Sequence, residues 1–113
     1  MNRFELFTMI YFWLDTFYEN TADDSIINQL SDMNPFLWED LTSADPAVYS
    51  EYCSFIAGRD ITMRNSLDLA REYVKAIGNG GMADAFENID PEEWITGCRD
   101  YLATSHKGME EDI

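Results

Sequence analysis

Apolar residues recur along this chain at helical spacings almost from end to end. From Phe4 to Tyr18 the sequence is apolar nearly all round, but Glu5, Thr8, Asp15, Thr16 and Glu19 return at spacings of three, four and seven. That pattern predicts a largely buried N-terminal helix with one polar stripe. Phe12 falls inside the stripe, between Thr8 and Asp15. It is the one ring of this helix that the core need not claim.

Thr21 with Asp24 has the spacing of a capping box and predicts a short helix through Ile26, Ile27, Leu30 and Met33, ended by Pro35. Asp45 followed by Pro46 predicts another start, because a carboxylate accepts an unpaired N–H while proline suits the first turn. Val48, Tyr49, Tyr52, Phe55 and Ile56 form its apolar face, and Gly58 supplies the stop. Asp60 is expected to cap a helix with a seam of Met63, Leu67, Ala70, Val74 and Ile77. Its polar face carries Arg64, Asp68, Arg71, Glu72 and Lys75, residue types that pair at i to i+4. The turn "GNGG" at 78–81 breaks that helix, a short helical turn is expected over Met82–Glu87, and Asp90–Pro91 opens the last helix through Trp94, Cys98 and Tyr101. The expected fold is all-α, a single-domain bundle of about five helices around the first. The domain is placed at residues 1–107, with 108–113 as an acidic tail that frays.

The segment Ser31–Pro46, "SDMNPFLWEDLTSADP", departs from this regularity. It has the Pro, Asn, Ser and Asp of a loop, yet carries Phe36, Leu37 and Trp38 at its centre with Glu39 and Asp40 attached. A locally extended chain alternates its side chains, so Leu37 would face away from Phe36 and Trp38, and one set would cap the core. A short strand at Phe36–Leu41 is the one departure from helix that the pattern admits. Trp38, adjacent to two charges that resist burial, is the ring expected outside.

Composition narrows the partners. With 22 acidic and 7 basic residues among 113, the formal net charge is -15. Such a field repels nucleic-acid phosphate and anionic lipid and attracts basic protein surfaces. Acidity that serves only solubility is the bland alternative. Cys53 and Cys98 lie far apart in apolar-periodic segments and read as free thiols of a reducing compartment. The apolar run Leu6–Leu14 lacks the flanks of a signal peptide and is too short to span a bilayer, so a cytoplasmic location is expected.

Little in the chain points to catalysis. His106 is the single histidine, without a second imidazole for a metal or triad site. Cys53 has no recognisable base near it in sequence, and "GNGG" lacks the Lys and Ser or Thr of a phosphate-binding loop. The acidic doublets match no calcium-loop spacing. No cofactor, metal or catalytic residue is expected. Two constellations remain as candidate partner-binding surfaces. One is the loop with Phe36, Trp38, Glu39 and Asp40, continued by Asp45 and Glu51; the other is the helical stripe with Glu5, Phe12, Asp15 and Glu19. A ring bordered by carboxylates is the make-up of an interface anchor with an electrostatic collar.

The segment Met33–Tyr49, "MNPFLWEDLTSADPAVY", and the general character of the chain resemble the small acidic immunity proteins of bacterial toxin and contact-dependent inhibition systems. That resemblance implies an inhibitor that occludes a basic toxin domain. The alternatives are a phage-type DNA mimic acting on restriction or other DNA-binding enzymes, and a housekeeping all-α interaction domain.

Overall fold

Asn2 and Glu5 start the first helix. The Asn2 side chain accepts the Glu5 N–H and the Glu5 carboxylate accepts the Asn2 N–H, both at 2.8 Å, and this reciprocal cap closes the first turn of α1 (Arg3–Phe17). The computed structural model describes residues 1–111. Within them follow α2 (Asp24–Met33), α3 (Pro46–Ile56), α4 (Ser66–Ala76), α5 (Gly80–Glu87) and α6 (Pro91–Ala103), with no strand among the described residues. The Phe36–Leu41 segment is accordingly loop, not strand.

Local chemistry explains most of these boundaries. Asp45 and Asp90 cap α3 and α6 by accepting the N–H of Ala47 and Glu92, each with proline at the first helical position. Gly58 and Gly78 adopt φ of 75° and 82° just past α3 and α4, the left-handed stop that a side chain disfavours. Three starts differ from expectation: α5 begins at Gly80, inside the expected turn, because Asn79 caps it by accepting the Met82 N–H. Asp23 caps α2 through the Ser25 N–H, while the Thr21 hydroxyl accepts the Asp23 N–H one step earlier. α4 begins at Ser66 because Thr62 and Asn65 exchange side-chain-to-backbone bonds and Asn65 also donates to the Asp60 carbonyl. That polar turn holds residues 60–65 out of the helix.

α1 packs against α2, α3 and α4. Phe7 lies 5.2 Å from Tyr49 and 4.9 Å from Tyr52, whose ring meets Tyr73 edge-on at 5.0 Å. The Tyr52 hydroxyl is satisfied by donating to the Arg3 carbonyl. From α6, Trp94 is wholly buried beside Trp13 and donates its indole N–H to the Ser66 hydroxyl at 2.8 Å. Truncating Phe7 or Trp94 to alanine would cost about 3–5 kcal/mol, the usual loss for a buried ring.

The polar stripe of α1 is not one solvated face. Glu5 and Thr8 are buried, Phe12 is half-buried, and only Asp15, Thr16 and Glu19 are exposed. The covering elements are Tyr101 of α6, whose ring meets Phe12 at 5.6 Å, and His106 beyond it, which reaches Glu5. The i to i+4 pairing expected on α4 is also displaced. Arg71 sits 4.0 Å from Asp68 but directs its N–H groups to the carbonyls of Phe86, Glu87 and Ile89 at the end of α5. The guanidinium thus caps the C-terminal end of α5, beside the backbone bond from the Ile89 N–H to the Phe86 carbonyl. Of the tail, residues 108–111 lie beside the chain's start, where the Asn2 side-chain amide donates to the carbonyls of Gly108 (2.9 Å) and Glu111 (3.2 Å). Residues 112 and 113 lie outside the described part. No helix among the described residues is long and apolar enough to cross a membrane.

Candidate functional site

The loop between α2 and α3 exposes all three of its central apolar side chains. Phe36, Leu37 and Trp38 are 47%, 58% and 50% exposed, while Pro35 before them is buried. The expected division into an inward and an outward set therefore does not occur, because the chain bends here instead of running extended. Asn34 initiates the bend by accepting the Phe36 N–H on its side chain at 2.9 Å.

Exposure here is combined with tight anchoring. The loop mouth is closed by Ala44 N–H to Asn34 O (2.8 Å) and Asp45 N–H to Asp32 O (3.0 Å). Trp38 donates its indole N–H to the Ala44 carbonyl at 3.0 Å, so its ring has a fixed edge and a free face. Buried Ser43 donates to the Asp45 carbonyl and accepts the Tyr49 N–H, tying the loop to α3. Finally, the Lys107 ammonium donates to the carbonyls of Pro35 (2.7 Å) and Trp38 (2.6 Å) above the Phe4 ring. Desolvation lowers the pKa of this amine below the ordinary lysine value, and the nearby Asp40 carboxylate acts in the opposite direction.

The structure brings the two candidate constellations together. Phe36 stacks on Phe12 with centroids 5.6 Å apart and planes inclined by 26°, and it meets Tyr11 edge-on. Beside Phe12, an apolar hollow of about 160 Å³ is lined by Trp13 and Thr16. Bordering Tyr11, a cleft of about 310 Å³ between α1 and α2 is lined by Tyr18, Ile27, Asp15 and Glu19. Glu39 and Asp40 are exposed at the other end of the loop. The result is a ring surface with carboxylates on both flanks. Asp45 closes the loop and is committed to capping α3, although it remains exposed. Glu51 does not join this surface: it lines a separate cleft of about 640 Å³ between α2, α3 and α4, with Asp32 and Tyr73.

The groups considered for chemistry have other duties. His106 Nδ1 lies 2.6 Å from the Thr104 carbonyl and Nε2 lies 2.5 Å from the Glu5 carboxylate. The Thr104 carbonyl can only accept, so Nδ1 carries a proton and donates to it, and Nε2 is left to share a hydrogen bond with Glu5. The pair is nearly enclosed, with 5% and 9% of the two side chains exposed. Burial pushes the Cys98 thiol up to about 12, and half-buried Cys53 lies beside the Tyr49 hydroxyl. Among the described residues no three His, Cys, Asp or Glu side chains converge on a common point for a metal.

Sequence reasoning missed three contributors to the surface. Asn34 carried a signal, since Asn followed by Pro favours a turn. Tyr11 was absorbed into an apolar run, and Lys107 carried no local signal, because its partners lie 69 and 72 residues away. Compared with protein-family models, with curated proteins and with solved structures, the chain matches none.

Proposed function

We propose that this protein is a binding inhibitor of a basic protein, in the manner of an immunity protein that neutralises a bacterial toxin by covering its active-site surface. The observation that supports this reading is the exposure of Phe36, Leu37 and Trp38 on a loop held by hydrogen bonds, contiguous with Phe12 and flanked by Glu39, Asp40, Asp15 and Glu19. A free ring costs solvation, and a held ring has already lost the freedom that binding would otherwise remove. Under this reading carboxylates accelerate encounter with a cationic cleft, while the rings slow dissociation. The protein works in the cytoplasm, by occlusion, with no cofactor and no chemical step of its own.

The net charge of -15 also suits a DNA mimic. The rings favour the first reading, since a phosphate mimic needs carboxylates where this surface offers apolar area. The test is capture of a partner from lysate of the source cell, followed by titration with purified wild type, Phe36→Ala and Trp38→Ala. A basic partner that loses affinity for both variants supports the proposal. Capture that is indifferent to both variants overturns it, and competition by duplex DNA with the same indifference transfers support to mimicry.

A further inference from the structure

We propose that the segment Thr104–Glu111 is a latch that sets the conformation of the ring loop, with Lys107 as its positioning residue. Between Phe36 and Leu41 the loop has no backbone bond to any helix; its backbone bonds are Thr42 to Asp40 and, at the mouth, Ala44 to Asn34 and Asp45 to Asp32. The carbonyls of Pro35 and Trp38 instead converge on one donor, the Lys107 ammonium, at 2.7 and 2.6 Å. An ammonium presents three N–H groups and can serve both carbonyls at once. The Phe4 ring beneath it, 5.2 Å from Nζ, belongs to the buried start of α1. The charge therefore bridges a rigid element and an irregular one.

Both neighbours of Lys107 are fixed. On one side His106 is gripped between Glu5 and the Thr104 carbonyl. On the other, Gly108 has φ of +84°, and a Cβ there would lie 2.9 Å from Phe4 Cδ1. Its carbonyl accepts the Asn2 side chain. Only glycine combines that dihedral with that approach. Lys107 thus has little freedom to leave, and in a chain with 7 basic residues it is directed at backbone carbonyls of the ring loop. The effect of the latch on loop order is independent of what binds; its effect on affinity rests on the partner reading above.

Amide hydrogen exchange on the full chain tests this, comparing wild type with Lys107→Met, Lys107→Gln and Lys107→Arg. Met keeps the stem over Phe4 and removes the charge. The bonded loop amides, those of Phe36, Thr42 and Ala44, are expected to exchange about tenfold faster or more in Lys107→Met, with α1, α3 and α6 unchanged. Gln, which retains N–H donors, should show a smaller increase. Arg, whose planar fork can donate to two carbonyls, should restore protection. Wild-type exchange in both Met and Gln, or acceleration of the loop only in step with the core, overturns the latch. With the captured partner present, a loosened loop should also lower affinity about tenfold, the loss expected when ordering is deferred to binding. A loosened loop with unchanged affinity would leave the latch standing and remove the partner from this loop.

Discussion

Phe36 of the ring loop lies stacked on Phe12 of α1, the two centroids 5.6 Å apart. These residues are 24 positions apart in the chain, and their contact turns a helix stripe and a loop into one surface. The geometry makes Phe12 part of the loop's support and also part of the area offered outward.

Removal of either ring should therefore be felt at the other. Phe12→Ala and Phe36→Ala together are expected to be less destabilising than the sum of the singles, with a coupling of about 0.5–1.5 kcal/mol typical of aromatic pairs. A double-mutant cycle by urea unfolding measures it. Additivity would mean that the stack is incidental.

Trp38→Ala should separate affinity from stability. The indole is half-exposed with one hydrogen bond to Ala44, so the free variant should lose only about 1–2 kcal/mol of stability. Affinity for the partner should fall by about 2 kcal/mol or more, as at a central interface ring. Calorimetric titration beside thermal melting reads both, and a large melting change with unchanged affinity would place Trp38 in the structure alone.

Loss of His106 should be costly. His106→Ala leaves the enclosed Glu5 side chain without its hydrogen-bond partner, and an unsatisfied buried polar group typically costs about 1–3 kcal/mol. His106→Gln, which can still donate to Glu5, should recover part of that loss. Denaturant midpoints for the two variants settle the order, and equal midpoints would mean that Glu5 finds water or another donor.

Stability should decline in alkali ahead of the ionisation of the buried Cys98 and Tyr73 in the folded protein. Burial holds the Cys98 thiol at about 12 against an ordinary 9.0, and the Tyr73 hydroxyl at about 12 against 10.0. Tyr49 and Tyr52 are raised too, chiefly by desolvation. The unfolded chain releases these protons first, so it binds fewer than the native state and stability falls as pH rises. The contribution is intact below pH 9 and is lost progressively toward 12, by up to roughly 1.4 kcal/mol per pH unit for each titrating group. Urea titrations at stepped pH would show it as a falling midpoint; a flat profile through this window would contradict it.

Association with the partner should slow as salt rises from about 50 to 500 mM, while dissociation changes little. Stopped-flow mixing reads the two rates separately. Salt-independent association would remove steering by the carboxylates and leave the acidity a matter of solubility.

The helices were legible because their causes are local. Asp45–Pro46 and Asp90–Pro91 act within one turn, and the seam of Leu67, Ala70 and Val74 needs only the helical period. Glu5 and Thr8 were read with Asp15, Thr16 and Glu19 as one polar stripe, and their burial could not be foreseen because what covers them comes from the far end of the chain: His106 contacts Glu5 across 101 positions. The ring loop failed for a different reason. Alternation of side chains presumes an extended backbone, and Asn34 with Lys107 bends it, so Phe36, Leu37 and Trp38 all emerge together. Phe12 was correctly singled out by its place among polar residues, but its stacking partner could not be read from a period.

The side-by-side placement of Asn2 with Gly108 and Glu111 has a practical side. Anything joined to the start of the chain, whether an affinity handle, a dye or a surface tether, emerges near the segment whose Lys107 grips the ring loop. Immobilising the protein by that end would crowd the surface whose binding is to be measured. The junction of α4 and α5, where Gly78, Gly80 and Gly81 are exposed, offers a better place for attachment. A single cysteine introduced at Gly80, where an added Cβ meets nothing within 4 Å, would carry a tether without touching the Asn2–Gly108 contact.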